Sequence, residues 1–208
     1  MVIAQKPIKV ACVGNSITYG HGIKNREHNS YPSVLERLLG KKYEVGNFGL
    51  SGRTLLNHGD MPYMKEQKYR DALNFEPDIV TIKLGTNDSK PQNWKYQDEF
   101  ENDLCKLIQS FAELPSHPTI YLCLPIPSTY PRWEISDSVI TKGVIPKIKK
   151  VAKKKHLKII DLNTAFKPYT HLLPDNIHPN ADIVPKLIIF IIESFENAKK
   201  KSKCRCFK

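Results

Sequence analysis

The chain lacks an apolar segment long enough to cross a bilayer, which takes roughly 20 consecutive apolar residues. The longest apolar run near its end covers only Leu187 to Ile192, and no membrane insertion is expected. Residues 1–5 also lack the charged segment and apolar core of a complete secretion signal. If a signal was trimmed ahead of Gln5, the protein is periplasmic or secreted, and otherwise it is cytoplasmic, so the sequence leaves the compartment open.

Cysteine spacings typical of a metal site or of a disulfide framework are missing as well. The cysteines number five, and Cys12 and Cys123 fall inside apolar strand patterns while Cys105 falls inside a helix pattern. Such positions are typical of small buried hydrophobic side chains. We therefore expect no metal site, and Cys204 and Cys206 near the end of the chain have no assigned role.

Acidic residues are absent from two strongly basic segments. Residues 142–158 carry eight lysines and residues 199–208 carry six Lys or Arg, whereas the whole chain has a net charge of +11. Without these fourteen charges the rest of the chain would carry −3. We interpret the first segment as the solvated face of a helix and the second as a frayed terminal tail. Aromatic residues are not interleaved with these lysines, so nucleic acid is not an expected partner.

Short apolar segments alternate with segments of helix length along the chain. This alternation predicts an α/β fold, a three-layer α/β/α sandwich around a parallel sheet. With 208 residues, 40% of them apolar, the chain can bury one large core. We expect a single domain over 1–208, with its core at about 7–198 and a basic tail at 199–208. The five predicted strands are Val10–Val13, Tyr43–Phe48, Pro77–Leu84, Thr119–Leu124 and Lys158–Asp161.

Helices are predicted between and after these strands. The first follows Ser30, has Pro32 in its first turn and stops at Gly40. A long helix is predicted at about 97–114, a basic one at 138–155 with a break near Pro146, and a last one from about 183 that covers the sheet.

Small polar residues follow three of the predicted strands. Ser16 comes after the first strand, Gly49 after the second and Asn87 after the third. Because ligands bind at the carboxyl ends of parallel strands, these residues are expected at one cleft. Taken alone, the Ser16 motif is better explained by a turn that caps the next helix, and Gly49 is better explained by a simple turn.

Asp175 and His178 lie three residues apart in a turn-prone segment between two prolines. That spacing lets one side chain fold back onto the other, although an isolated pair of this kind is more often a surface turn. Nucleophilic acyl transfer needs a hydroxyl, a base, a group that orients the base and donors for an oxyanion. The strand-end residues and this pair together supply all four.

The joint pattern resembles the SGNH hydrolases, also called the GDSL esterase family, from Lys9 to about Asn180. The four blocks that carry the resemblance are Gly14-Asn15-Ser16-Ile17-Thr18, Asn47-Phe48-Gly49, Gly85-Thr86-Asn87-Asp88 and Asp175-Asn176-Ile177-His178. Asn15 stands where the family has Asp, and Asn176 stands where Gly is common. The resemblance implies a five-stranded parallel sheet of flavodoxin-like topology.

The resemblance also implies the roles of single residues. Ser16 matches the family's nucleophile, His178 its base and Asp175 its acid. Ser16, Gly49 and Asn87 match the oxyanion hole. No metal or organic cofactor is implied.

The surroundings of the blocks look most like the branch that removes acetyl groups from carbohydrates. A serine esterase acting on short acetyl esters of saccharides, through an acyl-serine intermediate, is therefore expected. Candidate substrate-binding residues are Asn15, Trp94, Tyr130 and Trp133, the three aromatic ones offering flat faces to sugar rings. Packing beneath long loops explains these aromatic residues equally well. A thioesterase or lysophospholipase with the same machinery, or a non-catalytic carbohydrate-binding module, are the alternatives.

Overall fold

The computed structural model describes residues 6–205, with side chains described through residue 196. Its sheet has five strands in the order β2-β1-β3-β4-β5, and every neighbouring pair is parallel. The predicted α/β sandwich and its five-stranded, flavodoxin-like sheet are thereby confirmed. The strands are β1 Ile8–Gly14, β2 Tyr43–Gly49, β3 Ile79–Lys83, β4 Thr119–Cys123 and β5 Lys158–Ile160.

Ten α-helices are found in the described part of the chain, and none of them is both long and apolar enough to span a membrane. They are α1 Ser16–Tyr19, α2 Arg26–Asn29, α3 Tyr31–Leu39, α4 Gln67–Asn74, α5 Pro91–Trp94, α6 Phe100–Ala112, α7 Asp137–Val139, α8 Ile145–Lys154, α9 Leu162–Phe166 and α10 Val184–Arg205. Short 3₁₀ turns lie at 63–65, 87–89, 97–99 and 167–172, and a π-helical turn lies at 140–144.

Side chains of the central strands alternate between two hydrophobic cores. Ala11 and Val13 of β1 point to the core beneath α4, α6 and α8, whereas Val10 and Cys12 point to the core beneath α3 and α10. This alternation follows from the two-residue period of a strand. Helices cover both faces, which explains why strands of this kind are continuously apolar.

Two of the predicted helices differ from the observed ones. The basic segment forms α7, a π-helical turn and α8, with Pro146 in the first turn of α8. The helical backbone continues without interruption from Asp137 to Lys154, and the irregularity is the π-helical turn that ends just before Ile145 and Pro146, not a break. The prediction of a frayed tail is wrong for residues 199–205, because the backbone of α10 continues as a helix to Arg205. The side chain of Cys204 and all of Cys206 lie outside the described part.

The strand order places a topological switch point at the centre of the sheet. The chain leaves β1 to form β2 on one side and returns to form β3 on the other. In sheets of this kind ligands bind in the crevice outside the carboxyl ends of the strands at the switch point. The loops after β1 and β3 therefore border the functional cleft.

Candidate active site

Ser16 is the first residue of α1, and a single residue separates it from the end of β1. That residue, Asn15, caps the helix, because its side-chain oxygen accepts a hydrogen bond from the backbone N–H of Ile17 at 3.2 Å. A Cβ atom at Gly14 would collide with the Thr18 hydroxyl and lie 2.8 Å from the Lys83 carbonyl oxygen. Only glycine lets α1 pack this closely against the strand end, which fixes the position of the Ser16 hydroxyl.

The hydroxyl of Ser16 lies 2.7 Å from His178 Nε2, and His178 Nδ1 lies 2.7 Å from Asp175 Oδ2. The other carboxylate oxygen of Asp175 accepts the backbone N–H groups of Ile177 and His178, at 3.1 and 2.7 Å. Asn176 adopts φ +69°, a left-handed conformation that asparagine tolerates and that the tight turn requires. The structure thus brings all three residues predicted from the sequence into one hydrogen-bonded row.

The two ionisable groups of this row have pKa values below their ordinary ranges. Burial lowers the pKa of His178, the hydrogen bond and charge of Asp175 raise it, and the charges of His21 and Lys83 lower it again. Partial burial alone would raise the pKa of Asp175, but its hydrogen bonds and charge interaction with His178 outweigh that effect, and the net direction is down. An ionised carboxylate therefore faces a neutral imidazole at neutral pH.

Asn87 and Asp88 join the end of β3 to the loop that follows β2. The side-chain amide of Asn87 donates to the Arg53 carbonyl oxygen at 3.0 Å. The Asp88 carboxylate accepts the backbone N–H groups of Leu55 and Leu56 at 3.1 and 2.8 Å. Burial raises the pKa of Asp88 to about 6, against the lowering effect of these hydrogen bonds.

Gly49 does not lie where the resemblance put it. Its backbone N–H donates to the side-chain oxygen of Asn47 at 3.0 Å, and a Cβ atom there would meet the backbone of Thr18, 2.6 Å from its carbonyl carbon. Gly49 instead lets β2 approach α1 closely. Gly52, three residues later at φ +81°, borders the cleft beside Asn87, and within the described chain its N–H has no acceptor. The sequence analysis assigned the donor role to Gly49 and did not identify Gly52.

A pocket of about 170 Å³ opens in front of the Ser16 hydroxyl. It contains four residues that sequence reasoning proposed, namely Ser16, Asn87, Trp133 and His178, together with His21, Ser51, Gly52, Lys90 and Ile135. The ring centroid of His21 lies 4.6 Å from that of His178, with the two rings tilted by 50°. The spacing of His21 and Lys90 in the sequence does not distinguish them from ordinary loop residues. The sequence therefore did not indicate that they line the pocket.

One of the four proposed substrate-binding residues lines this pocket. Trp133 is 48% exposed, and its ring lies 5.7 Å from that of His178. Tyr130 is exposed outside the lining. Trp94 packs 5.9 Å from the Phe100 ring in the core, and Asn15 is fully buried in its capping role. Trp94 therefore has a packing role, which was the alternative explanation for the three aromatic residues.

Three potential metal ligands cluster at the same place. One ligand atom each from His21, Asp175 and His178 lies within 4.8 Å of the others. Both ring nitrogens of His178 are already hydrogen-bonded, to Asp175 and to Ser16. A metal bound by His178 would have to break one of these contacts, so the arrangement suits proton transfer better than metal coordination.

Comparison with known proteins gives the same picture as the geometry. The sequence profile of the GDSL-like lipase/acylhydrolase family matches residues 12–183. A protein of Xylanibacter ruminicola described as an acetylxylan esterase is 47% identical over 191 residues, which cover 83% of this chain. The chain spans 40% of the length of that relative.

Solved structures with the same fold cover almost the whole chain. A carbohydrate acetylesterase from Sinorhizobium meliloti superimposes with a TM-score of 0.73 at 19% identity, over 92% of this chain and 99% of its own. The aryl esterase of M. smegmatis gives 0.74 at 18% identity, over 91% and 99%. At such identities the likeness is one of fold.

Proposed function

The chain belongs to the GDSL-like lipase/acylhydrolase family, and from this premise we propose that it is a serine esterase that removes acetyl groups from saccharides. The observation that carries the proposal is the row of two 2.7 Å contacts from Asp175 through His178 to Ser16. A buried hydroxyl bonded to a neutral imidazole, itself held by a carboxylate, is the arrangement that activates a serine nucleophile.

His178 accepts the Ser16 proton at Nε2 while the serine oxygen attacks the ester carbonyl carbon. Asp175 fixes the proton on Nδ1 and stabilises the imidazolium that forms. His178 then returns the proton to the departing alcohol, which leaves an acyl-serine. Water gives a proton to Nε2 of the same imidazole as its oxygen attacks the acyl carbon. The imidazolium then returns that proton to Ser16 Oγ as the acyl–oxygen bond breaks, which releases acetic acid and restores the Ser16 hydroxyl.

The oxyanion formed in both steps needs donors on the side of Ser16 away from His178. The backbone N–H groups of Ser16 and Gly52 and the side-chain amide of Asn87 supply them. Gly52 and Asn87 border the same pocket, and one Asn87 amide hydrogen already holds the Arg53 carbonyl, which fixes the direction of the other. Such preorganised donors act mainly on the transition state.

Two observations support a short acyl group and a saccharide. A pocket of about 170 Å³ is small for a long acyl chain, which favours an acetylesterase over a lysophospholipase or a long-chain thioesterase. Trp133 presents a half-exposed ring beside His178, where it can pack on a sugar face. The relative of 47% identity is described as an acetylxylan esterase, and acetylated xylan is accordingly the first substrate to test.

The test compares wild type with Ser16→Ala on p-nitrophenyl acetate, p-nitrophenyl octanoate and acetylated xylo-oligosaccharides. Wild type is expected to release acetate and to prefer acetyl over octanoyl. Ser16→Ala is expected to retain its melting temperature and to lose turnover by about 10⁵–10⁶-fold. Preference for octanoyl would favour the lipid alternative. Affinity for the saccharide without turnover by wild type would favour the binding module.

A further inference from the structure

Asn93 is a fully buried asparagine next to the proposed oxyanion donor Asn87. It lies in α5, six residues after Asn87, and its exposed fraction is 0%. Other residues line the pocket in front of Ser16, so Asn93 is placed to support the site and not to bind substrate. Burying a polar side chain is costly unless it is hydrogen-bonded, and its partners therefore indicate what Asn93 holds in place.

The side-chain amide of Asn93 donates to the backbone carbonyl oxygen of Asn87 at 2.9 Å. This carbonyl belongs to the peptide that joins Asn87 to Asp88, and another donor to it, the backbone N–H of Lys90, lies farther away at 3.3 Å. The side chain of Asn87 in turn donates to the Arg53 carbonyl oxygen at 3.0 Å. Asn87 is therefore held by its main chain as well as by its side chain.

The other hydrogen-bonding groups of Asn93 join it to Asp60, in the loop after β2. Its amide also donates to Asp60 Oδ1 at 3.0 Å, and its side-chain oxygen accepts the backbone N–H of Asp60 at 2.8 Å. The next residue, Met61, accepts the backbone N–H of Thr54 at 2.9 Å through its carbonyl oxygen, which holds this part of the loop in place. Both the amide and the oxygen of Asn93 are bonded, so its side chain has a single orientation.

Asn163 is a buried asparagine of the same kind away from the pocket. It is 6% exposed, and its amide donates to the carbonyl oxygen of Pro125 at 2.9 Å. Neither Asn163 nor Pro125 is a lining residue of the pocket in front of Ser16. The two asparagines thus make equivalent bonds, and they differ in whether the carbonyl that they hold belongs to a proposed oxyanion donor.

We propose that Asn93 is a positioning residue of this site, which fixes the peptide after Asn87 so that the Asn87 amide is aimed at the oxyanion before the reaction begins. The inference rests on the proposed function, because the oxyanion arises only in that reaction. Donors that are already aimed at a developing charge need no reorganisation in the transition state. A displacement of about 1 Å in such a group can cost about 10²-fold in rate.

This role predicts a loss that falls on kcat and not on KM. The ester carbonyl carries little negative charge in the bound substrate, so a misplaced Asn87 amide weakens substrate binding little. The oxyanion forms in acylation and again in deacylation, and both steps are expected to slow down. A loss of interactions made only in the transition state lowers kcat and kcat/KM equally.

The test compares Asn93→Leu with Asn163→Leu, the matched control, in hydrolysis of p-nitrophenyl acetate. Leucine is similar in size to asparagine, and each substitution leaves a backbone carbonyl without its side-chain donor. Both variants are expected to melt several degrees below wild type. Asn93→Leu is expected to lose about 10- to 100-fold in kcat with KM unchanged, and Asn163→Leu to retain kcat. Equal kcat in wild type and Asn93→Leu, or equal kcat losses in the two variants, overturn the inference.

A double variant separates an action through Asn87 from a general effect on the fold. Asn87→Ala is expected to lower kcat about 10²–10³-fold. Adding Asn93→Leu to Asn87→Ala is expected to lower kcat no further, because residues that act as a unit are not additive. If the two losses multiply in the double variant, Asn93 does not act through Asn87 and the inference is wrong.

Should Asn93→Leu fail to fold, Asn93→Ala replaces it with the same expected results, since its smaller side chain leaves space for water to reach the freed polar groups. NMR gives a reading without turnover. The side-chain amide signals of Asn87, assigned with Asn87→Ala, are expected to shift in the Asn93 variant and to stay in place in Asn163→Leu. Unchanged Asn87 signals in the Asn93 variant overturn the inference. A wild type without esterase activity would instead refute the proposed function, and the NMR comparison would still show whether Asn93 orients Asn87.

Discussion

The carboxylate of Asp88 accepts the backbone N–H of Leu56 at 2.8 Å, across 32 residues of chain. Its other oxygen accepts the neighbouring N–H of Leu55. Asp88 directly follows Asn87, so one short segment both supplies a proposed oxyanion donor and fixes the loop that carries Gly52. The relative position of the two proposed donors thus depends on a buried carboxylate that does not line the pocket.

Replacing Asp88 with alanine should therefore impair stability and catalysis together. Two buried N–H groups lose their acceptor, and the free energy of unfolding is expected to fall by about 2–4 kcal/mol. Displacement of Gly52 relative to Asn87 should lower kcat/KM about 10- to 100-fold. Urea unfolding and hydrolysis of p-nitrophenyl acetate measure the two effects. Asp98→Ala, at an exposed position, is the control, and a similar loss there would refute the explanation.

Gly49, the last residue of β2, and Gly52, three residues later, are expected to have different roles, one in packing and one in catalysis. Gly49→Ala places a methyl group against Thr18 and Tyr19 of α1, and its main effect should be a loss of stability of about 1–3 kcal/mol. Gly52→Ala meets no backbone atom, but it strains a residue at φ +81° whose N–H is a proposed oxyanion donor. Its expected effect is on kcat, about 10- to 100-fold. Thermal unfolding of both variants measures the loss of stability, and steady-state kinetics measure the loss of kcat. A larger kcat loss in Gly49→Ala would return the donor role to that residue.

Asp175→Asn tests the orientation of the base and the sign of its pKa shift. The variant keeps the shape of the side chain but loses the negative charge that raises the pKa of His178. The rate is expected to fall about 10³–10⁴-fold. In wild type, kcat/KM should fall with decreasing pH only below the ordinary histidine pKa of about 6.5, because burial disfavours protonation of His178 in the folded protein. In Asp175→Asn this fall of kcat/KM should occur at still lower pH. A fall that begins at higher pH would contradict the roles assigned to Asp175 and His178.

Trp133 and Trp94 form a matched pair for substrate binding. Trp133→Ala removes a half-exposed ring beside His178 and is expected to raise KM for acetylated xylo-oligosaccharides several-fold, with little change for p-nitrophenyl acetate. Trp94→Ala opens a cavity next to Phe100 and Gly143 and is expected to cost about 3–5 kcal/mol of stability. Equal KM for the saccharide in wild type and Trp133→Ala would exclude a role for Trp133 in binding it.

The sheet was predictable from the sequence because its strands are buried on both faces. A continuous apolar run such as Val10–Val13, ending in Gly14, is typical of a central parallel strand. Ser16 and His178 lie 162 residues apart, and no local rule joins them. Their contact could be expected only through the family resemblance, which relates distant blocks of sequence.

The residues of the site that could not be predicted differ from their neighbours in the direction of an N–H group or a side chain, not in residue type. Gly49 and Gly52 look alike in one turn, and only the N–H directions and the φ of Gly52 separate them. Trp94 and Trp133 are both aromatic residues in polar surroundings, yet one ring turns inward and the other outward.

Trp133 and Ile135 both reach the pocket from the connection between β4 and α7. That connection supplies neither the nucleophile, nor the base, nor an oxyanion donor, all of which come from other loops. Under the proposed function, in which Trp133 packs on the sugar, the residues that select the leaving group and the residues that break the ester bond occupy separate stretches of chain. Grafting this one connection from a relative with another preference should transfer substrate choice while leaving the reaction itself intact.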